Sequence, residues 1–246
     1  MLPTLPDAFT ALVTGASGGI GSAVVDALLA SHRPGRVIGV SRDTTSRPDE
    51  RYEPLAADIS TPEGLASVEA RLGAVPLHLV FNAVGLLHDE TRDIHPEKKL
   101  DDLSADAMTR LFHVNAATPV LLLKALQPSL KGHHPVLIGS LSARVGAIGD
   151  NRLGGWYAYR ASKAAHNMLM KTAAIELRRL NPVATLACLH PGTTDTALSK
   201  PFQARVPEDK LFTSAFVAKR LLAVLGERSP EESGCFYDWA GDPVSW

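Results

Sequence analysis

The chain has 246 residues, of which 45% are hydrophobic and 21% charged, so it is long and apolar enough to bury a substantial core. Its formal net charge of -1 gives no electrostatic reason to expect nucleic acid or an anionic membrane as a partner, and we expect a small-molecule ligand. Two cysteines exclude a disulfide framework and a cysteine-rich zinc site, and the scattered histidines give no reason to expect a metal.

The ends and the middle of the chain carry no signal for targeting or division. No basic segment followed by an apolar run opens the sequence, and no apolar stretch of about 18 residues occurs, so we predict a cytoplasmic protein that does not enter a membrane. No repeat, linker or low-complexity tract separates one part from another. Residues 1–246 are therefore predicted to form one domain.

Short apolar runs alternate with helical patterns along the whole chain. Predicted strands cover residues 11–14, 36–40, 77–81, 136–139 and 183–189. Helical periodicity is visible between them, for example in Ile20, Val24 and Leu28, and the prolines at 119 and 128 bracket a helix over 120–126. This alternation predicts an α/β fold, a doubly wound parallel sheet with helices on both faces. Polar loops are predicted over 88–102 and 193–210.

The first predicted strand runs into the sequence TGASGGIG, residues 14–21, and then directly into a helix. Gly15, Gly19 and Gly21 allow a tight turn, a close approach of backbone to a pyrophosphate and close packing of helix on strand. The N–H groups and the positive dipole end of the helix favour an anion. A glycine cluster alone is a weak signal, but its position at the first strand–helix junction of an alternating chain makes it a strong one.

The spacing T-G-x-x-x-G-x-G resembles that of the short-chain dehydrogenase/reductase family. The resemblance covers most of the chain and implies a Rossmann-type fold and an NAD(P)-dependent oxidoreductase. It also implies that copies associate as a homodimer or homotetramer through helix faces. The residues that it places against the dinucleotide in this turn are Gly15, Ser17, Gly19, Ile20 and Gly21.

The end of the second predicted strand bears on the choice of dinucleotide. A carboxylate there would bind the adenosine ribose of NAD(H), but Ser41 and Arg42 stand in its place. A hydroxyl and a guanidinium suit a 2'-phosphate, so we predict NADP(H). Asp43 would restore a carboxylate after a shift of one residue, which leaves NAD(H) open. By resemblance, Asp58 and Ile59 contact the adenine.

Two further segments resemble family motifs that follow strands or lie on helices. The N-N-A-G segment appears in altered form as FNAVG, residues 81–85, where Asn82 and Ala83 match and the flanking positions differ. By resemblance, these two residues contact the dinucleotide. Asn115, in HVNAA, resembles the helix asparagine that helps to hold a water-linked proton path to the catalytic lysine.

Two serines, Ser140 and Ser142, lie at the end of the predicted strand VLIGS. Alternation along a strand sends both side chains to the same side, so periodicity does not distinguish them. The run SARVGAIGDNRLGGWYAYRASKAA resembles a C-factor-like branch of the family in which the serine at the position of Ser142 belongs to the motif. The resemblance favours Ser142 as the catalytic serine and leaves Ser140 open.

Two tyrosines precede a lysine in the stretch GGWYAYRASKAA. Tyr159 and Lys163 are four apart and share a helix face, whereas Tyr157 has an alanine at that distance. A phenol that protonates a carbonyl near neutral pH needs a pKa below its usual value of about 10, and a nearby ammonium together with the positive nicotinamide ring would stabilise the phenolate. Tyr159 is therefore the predicted proton donor. By resemblance, the catalytic set is Tyr159, Lys163, Ser142 and Asn115, and Tyr159 and Lys163 also contact the cofactor.

After the fifth predicted strand, the sequence PGTTDT, residues 191–196, resembles the family's P-G-x-x-x-T turn. The resemblance implies that the Thr194 backbone and the Thr196 hydroxyl hold the nicotinamide carboxamide and fix which face of the ring is presented, and that Pro191 also contacts the cofactor. An apolar substrate pocket beside this turn has the following candidates, each of which equally suits the core: Leu86, Leu87, Trp156, Tyr157, Phe202 and Phe212.

The predicted reaction is hydride transfer between a nicotinamide and a carbonyl or secondary alcohol, with Tyr159 as proton donor or acceptor. An alternative function is that of a nucleotide-binding signalling or regulatory protein similar to C-factor. An acidified phenol argues against it, because a binding module has no use for one. A sugar-nucleotide epimerase is a third possibility, but 246 residues leave little room for its additional substrate domain.

Overall fold

The computed structural model describes the backbone of residues 1–246, and all side chains except those at positions 205 and 208. Nine strands occur, in chain order β1 (Phe9–Thr14), β2 (Pro34–Ser41), β3 (Tyr52–Ala56), β4 (Leu79–Asn82), β5 (Val136–Leu141), β6 (Ala184–His190), β7 (Thr193–Thr194), β8 (Leu211–Phe212) and β9 (Cys235–Asp238). Seven of them form one parallel sheet in the order β3-β2-β1-β4-β5-β6-β9, while β7 and β8 pair separately.

Helices cover both faces of the seven-stranded sheet. They are α1 (Gly19–Ala30), α2 (Pro62–Leu72), α3 (Ala105–Phe112), α4 (Thr118–Leu130), α5 (Tyr157–Leu180) and α6 (Ser214–Gly226). One core cluster lies between the sheet and α1 and α6, and a second lies between the opposite face and α2, α4 and α5. The predicted doubly wound Rossmann-type fold is confirmed.

The central strands are apolar because both of their faces are covered. Every residue of β1 and of β5 is buried, which explains why these segments show continuous apolar runs without alternation. β3 lies at the edge of the sheet and contains Pro54. Proline has no backbone N–H to donate, and an edge strand tolerates this because one of its sides has no neighbouring strand. The five predicted strands all occur, with ends that differ by up to two residues.

Three local expectations are corrected. Pro128 lies inside α4, and α4 extends past it to Leu130. The carbonyl that loses its partner belongs to the exposed Lys124, four residues earlier, where water can replace the bond. The predicted loop over 88–102 contains two short 3-10 turns, and the loop over 193–210 contains β7 and two more.

The direction of winding reverses at β1, since β2 and β3 lie on one side of it and β4 on the other. In open parallel sheets such a reversal leaves a crevice beyond the carboxyl ends of the two central strands. The turn after β1 and the turn after β4 both lie at this crevice. Within the part of the chain described, no helix is both long and apolar enough to span a bilayer.

Candidate functional site

The cleft at the crevice has a volume of about 580 Å³ and brings together residues from five places in the sequence. They come from the glycine turn, the end of β4, the end of β5, the first turns of α5 and the segment after β6. Of the predicted site residues, those that line it are Gly19, Ile20, Gly21, Ala83, Ser142, Tyr159, Lys163, Pro191, Thr194 and Thr196.

The glycine turn packs too tightly for side chains. Gly15 has φ +72°, and a Cβ at this position would lie 3.1 Å from the backbone of Ala83. A Cβ at Gly21 would lie 2.1 Å from the carbonyl oxygen of Gly15. The start of α1 is thereby pressed onto the turn, as a pyrophosphate cradle requires. Ser17 is exposed, and neither it nor Gly15 lines the cleft.

The N-terminus of α1 is suited to an anion. Gly18 occupies the N-cap position, no described side chain caps it, and the first turn contains no acidic residue. The first N–H groups of a helix have no intrahelical partners, and the helix dipole favours negative charge beside them. The residues of this turn therefore fit a dinucleotide phosphate.

Side-chain hydrogen bonds tie the ends of three strands together below the cleft. Thr14 Oγ1 donates to Asn82 Oδ1 at 2.7 Å, and Asn82 Nδ2 donates to Ser140 Oγ at 3.0 Å. Ser140 is therefore held within the sheet, whereas Ser142, immediately after β5, lines the cleft. The geometry places Ser142, and not Ser140, beside the candidate reacting groups. Asn82 itself is buried and holds the strands instead of lining the cleft.

The residues predicted to bind the adenosine lie outside this cleft, at the ends of the neighbouring strands β2 and β3. Ser41 Oγ donates to the carbonyl oxygen of Asp43 at 2.7 Å, and Ile59 is buried in the second core cluster. Burial alone would raise the pKa of Asp58, but hydrogen bonds from Ser60 and the positive charge of Arg42 hold it below its usual value. Arg42 is exposed.

Arg47 is a residue near this region that the sequence analysis missed. Its guanidinium donates to Asp26 Oδ1 at 2.7 Å and to Ser22 Oγ at 2.8 Å, and lies 4.8 Å from the centre of the Tyr52 ring. It therefore ties the loop after β2 to the second turn of α1. The available signal was a basic residue in a loop that follows the second strand.

Tyr159 and Lys163 lie on the first turns of α5 and both are buried, with Tyr159 8% exposed. Lys163 Nζ lies 5.8 Å from the centre of the Tyr159 ring and donates to the carbonyl oxygen of Leu141 at 3.0 Å. Tyr157 is 37% exposed and does not line the cleft. The structure thus separates the two tyrosines as the spacing predicts.

In the protein chain alone Lys163 does not acidify Tyr159, and the acidification predicted for the lysine together with a bound nicotinamide stays a prediction. Burial raises the pKa of Tyr159 above its ordinary value, because a phenolate is poorly solvated there. Burial also lowers the pKa of Lys163 to about 8, although the nearby Cys188 opposes this shift. The ammonium is directed at the Leu141 carbonyl and does not outweigh the desolvation of the phenol.

Asn115 lies on a π-helical turn, His113–Ala117, between α3 and α4. Its side chain is fully buried and bonds both backbone atoms of Leu86, accepting from the N–H at 2.7 Å and donating to the carbonyl at 2.8 Å. It also donates to Ser162 Oγ at 3.0 Å. Asn115 therefore fixes the turn after β4 to α5, and a role in a proton path stays a prediction.

The segment after β6 closes the cleft beside the glycine turn. Thr194 Oγ1 donates to the Pro191 carbonyl at 3.4 Å, and Thr196 Oγ1 donates to the Thr194 carbonyl at the same distance. A Cβ at Gly19 would lie 2.6 Å from Thr196 Cγ2, so the two turns are in close contact. This places the P-G-x-x-x-T segment against the start of α1, at one end of the cleft.

An aromatic wall bounds the other end of the cleft. Trp156 and Phe202 pack edge to face at 5.0 Å, and Leu87 lies beside them. Of the other pocket candidates, Leu86 and Tyr157 do not line the cleft, and Phe212 packs against Trp239 at 4.5 Å.

Trp156 has the left-handed φ of 51° and is held by Glu97, a buried residue that the sequence analysis missed. The Glu97 carbonyl accepts from Trp156 N at 2.6 Å, and both carboxylate oxygens lie 3.3 Å from the N–H of Ala158. Glu97 thus caps α5 from the distant 88–102 segment. A glutamate that caps a helix about 60 residues further along the chain leaves no recognisable pattern in the sequence.

Among the described residues, no His, Cys, Asp and Glu side chains form a cluster suited to a metal ion.

Comparison with known proteins agrees with this geometry. A sequence profile of the short chain dehydrogenase family matches residues 9–207. C-signal of Myxococcus xanthus is 33% identical over 147 residues, which is 60% of this chain and 83% of that protein. The 1-hydroxy-2-glutathionyl-2-methyl-3-butene dehydrogenase of Rhodococcus sp. (strain AD45) is 30% identical over 191 residues, 77% of this chain and 78% of that protein.

Solved structures of similar fold extend over nearly the whole chain. NADPH-bound carbonyl reductase from chicken fatty liver superimposes with a TM-score of 0.84 and 26% identity, covering 98% of this chain and 95% of that one. The profile match spans the glycine turn, the tyrosine and lysine of α5 and the segment after β6. The chain belongs to the short chain dehydrogenase family.

Proposed function

We propose that the protein is an NADP(H)-dependent oxidoreductase that reduces a carbonyl compound or, in reverse, oxidises a secondary alcohol. The observation that carries the proposal is the single cleft into which a glycine turn and the side chains of Ser142, Tyr159 and Lys163 all open. When bound, the nicotinamide supplies or accepts the hydride. The uncapped start of α1 would hold the phosphates, and the segment with Thr194 and Thr196 would hold the carboxamide.

The roles of the chain's own residues follow from their burial and charge. Burial raises the pKa of Tyr159 and so keeps its phenol protonated at neutral pH. The positive charges of Lys163 and of a bound nicotinamide would lower this pKa when the phenol gives its proton to a carbonyl oxygen. Ser142 would orient that oxygen by a second hydrogen bond. With a pKa of about 8, Lys163 is mainly an ammonium at pH 7, placed to hold a ribose hydroxyl and to stabilise the phenolate that remains. Oxidation needs that phenolate first, so it is favoured at alkaline pH.

A preference for NADP(H) is supported by the end of β2. Ser41 and Arg42 occupy the position at which a carboxylate would repel a 2'-phosphate. The structural relative from chicken fatty liver contains NADPH, which agrees with this choice. Asp43 is the residue that could reverse it.

The test is turnover of a panel of aldehydes, ketones and quinones with NADPH and NADH side by side. Tyr159→Phe should reduce kcat at least about 10²-fold, the smaller end of what a general acid contributes, and leave the Kd for NADPH nearly unchanged. Tyr157→Phe is the matched control, since it removes an exposed hydroxyl two residues away and should turn over like the wild type. Undiminished NADPH oxidation by Tyr159→Phe would refute the assignment.

A second candidate is a nucleotide-binding signalling protein with little catalysis, and the similarity to C-signal of Myxococcus xanthus favours it. Binding of NADPH without turnover of any compound in the panel would support this candidate over the first.

We also propose that residues 1–246 act as one domain and that copies associate through the outer faces of α4 and α5, where Leu121, Met168 and Ile175 are exposed. Sedimentation equilibrium would test the association.

A further inference from the structure

A buried pair of polar side chains lies directly behind the candidate reacting groups. Ser142, which lines the cleft, is 3% exposed, and Asn167, one turn beyond Lys163 on α5, is 2% exposed. Ser142 Oγ donates to Asn167 Oδ1 at 2.6 Å. Asn167 belongs to none of the family motifs described above, and the proposed reaction assigns it no role.

The direction of this hydrogen bond conflicts with the work that Ser142 has to do. A serine hydroxyl has one proton, so a hydroxyl that donates to Asn167 cannot also donate to a carbonyl oxygen in the cleft. At the same time, Asn167 Nδ2 is buried without a partner among the described side chains and backbone. Buried N–H groups without an acceptor are rare in folded proteins.

A half-turn of the Asn167 carboxamide about its Cβ–Cγ bond resolves both features. The amide oxygen and nitrogen have nearly the same size and exchange places in this rotation. Nδ2 then donates to Ser142 Oγ, and the only proton of the hydroxyl is free to point into the cleft. The rotation moves no backbone and keeps the pair hydrogen-bonded.

We propose that Asn167 is a positioning residue that directs the Ser142 proton toward the substrate carbonyl by donating its amide N–H to Ser142 Oγ. The inference rests on the proposed carbonyl reduction. Asn167 does not touch the substrate, and it acts only through the serine.

Asn167→Asp separates this role from simple packing, because it replaces the amide by a group of the same shape. At neutral pH the carboxylate only accepts hydrogen bonds, so it should hold the Ser142 proton and lower kcat about 10²-fold, as loss of an oxyanion donor does. As the pH falls, a protonated Asp regains an O–H donor and kcat should recover. Lys163 and His166 on α5 and Cys188 and His190 on β6 are titratable in the wild type as well, so the wild-type pH profile is the reference from which the effect of residue 167 is measured.

Asn167→Leu provides the second test, through a double-mutant cycle with Ser142→Ala. Alone it should lower kcat about tenfold, since the hydroxyl loses its fixed direction. In the Ser142→Ala background it should have no further effect, because the hydroxyl that it directs is gone. The Kd for NADPH and the urea midpoint of each variant show whether the fold is kept, and Glu176→Gln at an exposed position of α5 is the control for that helix.

The outcomes are distinguishable. Recovery of Asn167→Asp at low pH, together with a null effect of Asn167→Leu in the double mutant, would support the inference. Losses that multiply in the double mutant, or a pH profile of Asn167→Asp parallel to that of the wild type, would overturn it while the proposed function stands. A wild type without turnover would overturn the proposed function and this role with it.

Discussion

A methyl group added at Gly21 tests whether the glycine turn and the start of α1 form one tightly packed unit. The new Cβ would lie 2.1 Å from the Gly15 carbonyl oxygen, whereas real contacts of this kind stay above 3.0 Å. The atoms that the Cβ would meet belong to the main chain of Gly15 and Ala16, so no side chain can rotate away and the first turn of α1 must shift. Overpacking of this kind costs up to about 3 kcal/mol, of which the better helix propensity of alanine returns about 1 kcal/mol.

We therefore expect Gly21→Ala to lose about 2 kcal/mol of unfolding free energy, which in a chain of this size lowers Tm by about 4–8 °C. Because the displaced N–H groups are those proposed to hold the phosphates, the Kd for NADPH should rise as well. Urea denaturation and fluorescence titration measure the two effects. Gly18→Ala is the matched control, since its Cβ would lie 3.3 Å from the same oxygen. Equal stability and equal affinity in the two variants would refute the packing argument.

Four further substitutions test the site. Ser142→Ala should lower kcat about 10²-fold, while Ser140→Ala should mainly lose about 1 kcal/mol of stability by breaking its bond to Asn82; kcat and urea midpoints in the reverse pattern would make Ser140 the catalytic serine. Lys163→Met should be more stable than the wild type by a margin that is largest below pH 8 and shrinks by about 3 kcal/mol as the pH rises to about 10.5. The folded-state pKa of Lys163 is about 8 against its ordinary 10.5, so the unfolded chain binds more protons across this window. Parallel stability curves would contradict that burial effect. Arg42→Glu should weaken NADPH binding at least about tenfold and NADH binding much less, and an equal change in both titrations would show that Arg42 does not face a 2'-phosphate.

The sheet was predictable because its central strands are buried on both faces and show as uninterrupted apolar runs. The edge strand β3 was not located, because its sequence YEPLA is half exposed and contains a proline. The end of α4 was placed too early, since a proline in the last turn costs little where water can reach the carbonyl that it frees.

The site was predictable to the extent that its chemistry is local in sequence. Helical spacing alone distinguished Tyr159 from Tyr157, and the structure buries the first and exposes the second. Spacing did not reveal Glu97 or Asn167, because their partners lie 61 and 25 residues away. The effect of Lys163 alone on the pKa of Tyr159 was overestimated for a related reason, since proximity to a lysine can be inferred from sequence but the depth of burial that opposes it cannot.

The π-helical turn His113–Ala117 shows how Asn115 came to face the end of β4. Such a turn holds one residue more than the corresponding α-helical turn, so everything after it is rotated by about 100° relative to a continuous helix. Deleting one residue there would make α3 and α4 one continuous α-helix, and it would rotate either the Asn115 amide or the buried face of α4 away from its present partners. An unbroken helix cannot keep both the contacts of Asn115 and the burial of α4. We therefore expect insertions or deletions of one residue in this helical segment to destabilise the fold.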